Sequence, residues 1–165
     1  MSAEDIVRAI EGMPGQEVQE ESAAGESLRF FIFSVGDAYF ALPPESVREI
    51  VSDLEIFPLP ACPPYIPGLI NCHGTPHTVF SLMVLFRNER DTPAQFLVLN
   101  LPDDHVAFGC TEAIEIATIP AASISTFPEG DAGSRHFTGL FPFSGQRVPV
   151  LSVPEILRQL ELDLG

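Results

Sequence analysis

Lysine and tryptophan are both absent from this chain of 165 residues, and its 8 basic residues are all arginines. Without lysine, the chain has neither a Schiff-base lysine for a carbonyl substrate nor a P-loop lysine for a nucleotide. Acidic residues number 23, so the formal net charge is −15 at pH 7. Because an acidic surface repels phosphates, the sequence predicts protein partners, with no nucleic acid binding and no direct membrane contact.

Long apolar runs are missing too. No stretch reaches the ~18 apolar residues of a membrane-spanning helix, and residues 1–27 lack the basic start and apolar middle of a signal peptide. The three cysteines, Cys62, Cys72 and Cys110, are odd in number and follow no CxxC spacing, which argues against a disulfide framework and a zinc knuckle. We therefore expect a cytoplasmic location, reduced cysteines and no cofactor.

Residues 1–27 form an acidic segment that we predict to be a disordered tail. Its charged residues are all acidic except Arg8, and Gly, Ser and Ala are scattered between them. Ile6, Val7 and Ile10 stand at helical spacing over about two turns, which leaves a short docking helix open. Residues 28–165 are predicted to be the folded domain.

From Leu28 onward the sequence changes to short apolar runs separated by turn residues, a pattern typical of consecutive β-strands. The runs LRFFIFSV and AYFALP flank Gly36-Asp37 and predict a hairpin. The pattern of ESVREIV fits either a helical turn or a bent strand. The prolines of IFPLPACPPYIPG predict an irregular connector, and EILRQLELD at residues 155–163 predicts an amphipathic C-terminal helix.

The second half of the chain repeats the pattern of the first. Residues 68–86 align without a gap with residues 139–157, with Gly68 opposite Gly139. A hairpin, a V-x-E-I-like segment, a proline connector, a glycine turn and an apolar run occur twice in the same order, at about 28–90 and 91–160. Because a small curved sheet that closes removes its edges, we predict a mainly all-β fold: two small five-stranded β-barrels from an internal duplication, with short helices.

Three segments in this order, FFIFSVGDAYFALPPESVREIV, PLPACPPYIPGLINCHG and TVFSLMVLF, resemble the CheW-like family. That family has a strand pair, V-x-E-I, a proline-rich connector, a G-hydrophobic-x-N-x-R-G turn and a hydrophobic-D-L strand. The likeness covers about residues 28–160. It implies a non-enzymatic signalling adaptor in the cytoplasm at receptor arrays, which couples the cytoplasmic tip of a chemoreceptor to the regulatory domain of a chemotaxis histidine kinase.

Adaptors of type IV pilus and other chemosensory pathways share this fold. An adaptor for such a pathway, and a divergent module that binds only the kinase, therefore stay open as alternatives. A small β-barrel enzyme or ligand-binding module is the alternative from a different class of protein.

The same resemblance places Val47, Glu49 and Gly68 near the family's receptor groove. His73 stands where the family has the arginine of its R-G turn, which can pair with the glutamate. Here Glu49 would face an imidazole, which is charged only when protonated, so we expect a weaker and pH-dependent pair. A second departure is Ser81, where the D-L strand of the family has aspartate.

Two candidate chemistries centre on the turn that contains His73. Cys72 and His73 are adjacent, but alternate residues of a strand point to opposite faces, so we do not expect them to form a nucleophile and its base. His73 and His77 are four residues apart across a predicted hairpin, too far apart to share a zinc ion. The sequence therefore predicts no metal site and no catalytic residue.

The chain contains 13 phenylalanines, most of which lie within predicted strands and should be core. Phe141 and Phe143 flank Pro142 beside the turn at Gly145. We expect these two side chains to form an exposed apolar patch on the second barrel, which a kinase could cover.

Overall fold

In a computed structural model of the protein, residues 26–126 and 134–164 are described. The predicted disordered tail lies outside them except for Glu26 and Ser27. The described residues form ten strands and two helices: β1 (Ser27–Val35), β2 (Ala38–Leu42), β3 (Val47–Ser52), β4 (Gly68–Cys72), β5 (Thr75–Phe80), α1 (Leu82–Arg87), β6 (Gln95–Leu99), β7 (Val106–Cys110), β8 (Glu112–Pro120), β9 (Phe137–Phe143), β10 (Gln146–Leu151) and α2 (Val153–Leu164).

The strands form two five-stranded sheets. Sheet I has the order β8-β1-β2-β10-β9, and sheet II has the order β3-β6-β7-β5-β4. The prediction of a mainly β fold with two five-stranded units and a C-terminal helix is confirmed. The ambiguous pattern ESVREIV is resolved as a 3-10 turn, Pro44–Ser46, followed directly by strand β3.

Each sheet combines strands from both halves of the chain. The β1-β2 hairpin joins β8, β9 and β10, whereas the β6-β7 hairpin joins β3, β4 and β5. Most neighbours are antiparallel, but β2 pairs with β10, and β5 with β7, in parallel. The two halves therefore exchange hairpins, and neither half contains a complete sheet.

A closing bridge brings the two edges of each sheet together. In sheet II, Phe57 follows β3 and pairs with Leu69 of β4 through backbone hydrogen bonds of 2.7 and 2.9 Å. In sheet I, Ser125 follows β8 and pairs with Leu140 of β9 through bonds of the same two lengths. Gly68 lies at the first bridge, where an added Cβ would be 2.2 Å from the Phe57 carbonyl oxygen. Both sheets are thus small barrels without long free edges.

Strand β1 shows how the core is divided. Phe31, Phe33 and Val35 face a core shared by the two sheets, to which strands of both sheets and both helices contribute. Phe30 and Ile32, on the other face, belong to a second core inside sheet I. Because both faces are buried, the strand is a continuous apolar run instead of an alternating one.

The predicted exposed patch of Phe141 and Phe143 is wrong. The two side chains are only 1% and 2% exposed, and Phe141 stacks on Phe30 at a centroid distance of 5.0 Å inside sheet I. Both residues belong to β9, where the period of two puts them on the same inward face and leaves Pro142 outside. The neighbouring turn begins only after Phe143.

The C-terminal helix α2 packs as predicted. Ile156 is fully buried, and Leu157 and Leu160 pack against the shared core. The hydroxyl of Tyr65, in the proline-rich connector, donates a hydrogen bond to the Asp163 carboxylate near the end of the helix. The connector and the helix are therefore held to the same side of the shared core.

Candidate functional site

The turn between β4 and β5 contains His73, the residue at which the resemblance predicts a departure from arginine. His73 and Gly74 have φ values of 53° and 84°, and Ser144 and Gly145 have 51° and 78° at the corresponding turn between β9 and β10. Two consecutive residues with positive φ are typical of the two-residue type I′ hairpin turn. This conformation turns His73 outward, and its side chain is 75% exposed.

The predicted pair of Glu49 and His73 is present. Nε2 of His73 lies 2.6 Å from Oε1 of Glu49, whose side chain is 34% exposed. Strands β3 and β4 are the two edges of sheet II, so these residues meet only because the closing bridge at Phe57 joins the edges. The hydrogen bond with His73, followed by that from the Cys72 thiol, holds the pKa of Glu49 below its ordinary value.

The expectation that Cys72 and His73 point apart is also wrong. His73 lies outside the strand, in a turn with positive φ, where the alternation of strand faces does not apply. Both side chains reach Glu49, and the Cys72 thiol donates to the same Oε1 atom over 3.4 Å. Burial, with a contribution from the Glu49 carboxylate, raises the pKa of the Cys72 thiol. A thiol that stays protonated is a poor nucleophile, so the contact does not create a catalytic pair.

A cavity of about 270 Å³ opens beside this contact, and it is lined by Arg48, Glu49, Cys72, His73, Thr75, His77 and His105. His77 is nearly buried, and its Nδ1 lies 3.0 Å from the carbonyl oxygen of Thr75. Its Nε2 lies 3.4 Å from Nη2 of Arg48. Because a guanidinium only donates, Nε2 accepts and Nδ1 donates to Thr75. The structure therefore adds Arg48, His77 and His105 to the site.

Three residues of the cavity could hold a metal ion. One ligand atom from each of Glu49, Cys72 and His73 lies within 4.8 Å of the other two. This set of ligands could not be predicted from the sequence, because Glu49 is 24 residues away from His73 along the chain. Only the closing of sheet II brings the glutamate to the turn.

Val47 and Gly68 lie in the strands that carry the site, and their role there is structural. The Val47 side chain packs against the shared core. Gly68 occupies the closing bridge, where any Cβ would collide with backbone atoms of Phe57 and Pro58. Of the predicted groove residues, Glu49 and His73 are the two that bring side chains together at the surface.

Ser81 has a structural role at the start of α1. Its Oγ accepts a hydrogen bond from the Val84 backbone nitrogen over 3.3 Å and donates one to Asp91 over 2.7 Å. Serine and aspartate are both good N-caps, so Ser81 can cap α1 as well as the aspartate that the resemblance implies at this position. Ser152 stands at the same place before α2, where its carbonyl oxygen accepts from Ile156 over 3.1 Å.

Residues 29–161 match the model of the CheW-like domain. The chain belongs to the CheW-like family. The matched residues run from β1 into α2 and include both sheets. The resemblance inferred from the order of motifs is therefore confirmed, and with it the prediction of a CheW-like signalling scaffold.

Two curated relatives and one solved structure agree with this assignment. The chain is 28% identical over 156 residues to "Chemotaxis protein CheW" of Helicobacter pylori, covering 87% of this chain and 93% of the relative. It is 31% identical over 122 residues to "Protein FrzA" of Myxococcus xanthus, covering 72% and 76%. The solved scaffolding protein TtCheW from Thermoanaerobacter tengcongensis has the same fold, with a TM-score of 0.69 and 18% identity over 78% of this chain and 86% of that chain.

Within residues 26–126 and 134–164, no helix has the length and apolar character needed to cross a membrane.

Proposed function

We propose that this protein is a non-enzymatic adaptor that couples a chemoreceptor to a chemotaxis histidine kinase, in the cytoplasm at receptor arrays. The observation that carries the proposal is the Glu49–His73 contact, at the position where the family resemblance puts the receptor groove. The match of residues 29–161 to the CheW-like domain supports the same role.

The receptor contact is assigned to the surface of sheet II around the His73 turn. Glu49 and His73 offer partly and largely exposed polar groups to a partner. Val47 and Gly68 hold the backbone of β3 and β4 in place behind them. An adaptor needs this kind of preformed surface because ordering mobile groups on binding costs affinity.

The kinase contact is assigned to the other barrel. Because Phe141 and Phe143 are buried inside sheet I, they support the outer face of β9 from behind instead of forming the contact. The outer face of this strand carries Pro142, which is exposed. In this arrangement the two partners bind to different barrels and do not compete.

The test is binding of the purified chain to a receptor cytoplasmic fragment and to the kinase regulatory domain from the same genome. Isothermal titration calorimetry should detect both complexes at dissociation constants of about 50 μM or tighter. Absence of both at that level would contradict the adaptor role. Absence of the receptor complex alone would leave a module that binds only the kinase.

His73→Arg tests the groove itself. A permanently charged guanidinium can make two hydrogen bonds to the Glu49 carboxylate, so we expect it to order the groove and strengthen receptor binding about three- to tenfold. The matched control is Ser144→Arg, which puts the same residue at the corresponding turn of the other barrel. If the control strengthens receptor binding equally, or His73→Arg changes nothing, the groove is located elsewhere.

A further inference from the structure

Three chemically different metal donors meet where the edges of sheet II close. Glu49 comes from β3, Cys72 is the last residue of β4, and His73 lies in the following turn. Their ligand atoms all lie within 4.8 Å of one another. We propose that Glu49, Cys72 and His73 bind a divalent transition-metal ion of the zinc class. This inference departs from the sequence-based expectation of no metal site.

The distances fit an ion after a small movement. Zinc bonds of about 2.0–2.3 Å in tetrahedral geometry separate the ligand atoms by roughly 3.3–3.7 Å. The Cys72 sulfur already lies 3.4 Å from Oε1 of Glu49, and Nε2 of His73 lies 2.6 Å from the same oxygen. The His73 ring has to move about 1 Å away from that oxygen on this geometry, while its nitrogen stays within the 4.8 Å that contains all three ligand atoms. That ring is 75% exposed, so it has room to do so.

The donor set selects the kind of metal. A thiolate with an imidazole suits zinc and its neighbours in the first transition row, whereas magnesium and calcium prefer oxygen ligands alone. Glu49 and a Cys72 thiolate together balance the double charge of the ion. When the ion binds, the Cys72 thiol proton passes to solvent, and the proton on Nε2 of His73 leaves that nitrogen, with Nδ1 carrying the proton of the neutral ring.

The surroundings leave space for the remaining ligand. The cavity of about 270 Å³ admits water, and it is lined by His77 and His105, so three of the four histidines in the chain stand around it. Arg48 is the nearby cation that would oppose a metal ion, and its guanidinium points to Nε2 of His77 over 3.4 Å. The net charge of −15 favours cations over the molecule as a whole.

Cobalt(II) is the probe, because a thiolate bound to it produces an intense near-ultraviolet charge-transfer band and a tetrahedral site produces visible bands. Reduced, metal-free full-length protein is titrated with Co²⁺ in a buffer without thiols. We expect these bands to saturate at one equivalent and to disappear when Zn²⁺ is added. The experiment uses no receptor, so its outcome is independent of the proposed adaptor function.

Single substitutions assign the ligands. Cys72→Ser should abolish the charge-transfer band, whereas Cys62→Ser and Cys110→Ser, at the other two free thiols, should retain it. His73→Arg should weaken Co²⁺ binding at least tenfold, by loss of a ligand and by charge repulsion. This exposed position keeps the test valid if the buried Cys72 variant fails to fold.

The proposal is overturned if the wild type shows no band at one equivalent. It is equally overturned if the band persists in Cys72→Ser, or if Cys62→Ser is the only substitution that removes the band. Undiminished affinity in His73→Arg would remove the histidine from the site and with it the three-donor arrangement.

Discussion

Gly68→Ala should destabilise this protein far more than the same substitution at the corresponding glycine of the other barrel, Gly139→Ala. A Cβ at Gly68 would lie 2.2 Å from the carbonyl oxygen of Phe57 and 2.9 Å from Cα of Pro58, so it meets backbone that cannot rotate away. A Cβ at Gly139 would lie 3.0 Å from the Cγ2 methyl of Ile124 and 3.4 Å from the carbonyl oxygen of Ser125, so its tightest contact is with a side chain that can shift slightly. The two changes add the same methyl group at equivalent bridges.

The difference in destabilisation between the two variants follows from the interactions that are lost at each bridge. At Gly68 the clash opens the pairing of Phe57 with Leu69, whose two hydrogen bonds contribute about 1 kcal/mol each. Backbone strain adds about 1–3 kcal/mol, so the free energy of unfolding should fall by about 3–5 kcal/mol. At Gly139 a slightly displaced side chain costs about 1 kcal/mol. For a domain of this size, the melting temperatures should fall by about 10 °C and about 3 °C.

Urea unfolding followed by far-ultraviolet circular dichroism measures both variants, since the chain has no tryptophan to report by fluorescence. A domain with about 10 kcal/mol of stability, the middle of the usual range, remains folded in either variant, so both transitions should be measurable. If Gly68→Ala costs no more than Gly139→Ala, the close approach at the bridge of sheet II is wrong. The account of how the closing bridge brings Glu49 to His73 would then be contradicted as well.

Three further changes test the helices and the core. Ser81→Asp should lower the free energy of unfolding by about 1 kcal/mol, because it replaces the 2.7 Å hydrogen bond to Asp91 with two facing carboxylates. In the same urea assay, the double variant with Asp91→Asn should regain the lost stability. Tyr65→Phe removes the bond that helps to lower the pKa of Asp163. Because the pKa of Asp163 is lowered in the folded state, its ionised carboxylate stabilises the fold at pH values above the ordinary pKa of 3.8, and this stabilisation is lost as the pH falls through the folded-state pKa. The difference in stability between wild type and variant should therefore be largest at neutral pH and disappear on acidification. Phe141→Ala should cost about 3–5 kcal/mol by leaving a cavity, and a cost below about 1 kcal/mol in denaturant unfolding would mean that the side chain is exposed after all.

Features set by neighbouring residues could be predicted correctly. The amphipathic face of α2 follows from the spacing of Ile156, Leu157 and Leu160, and all three contact the shared core. The strand runs and the mainly β class likewise depend on short-range patterns. The Glu49–His73 contact was also predicted, but from the family resemblance, since nothing local links residues so far apart along the chain.

The two errors have one cause, a misjudged boundary between strand and turn. Phe141 and Phe143 were assigned to the surroundings of a turn, yet they end a strand whose inward face buries them. Strand alternation predicts opposite faces for Cys72 and His73, yet His73 is a turn residue with positive φ, and both side chains reach Glu49. A shift of one residue across such a boundary changes the face on which a side chain lies.

By itself, the sequence determined the family, the mainly β class, the duplicated order of elements and the exclusion of reactions that need a lysine. Motifs, periodicity and composition can all be recognised from the sequence without knowing which distant residues meet. Only the tertiary structure decided that the two halves exchange hairpins and that each sheet closes through the bridge at Phe57 or at Ser125. Pairing of this kind depends on the packing of both faces of strands such as β1 and joins residues far apart in the chain, which no local pattern encodes. The meeting of Glu49, Cys72 and His73 is a product of that closure.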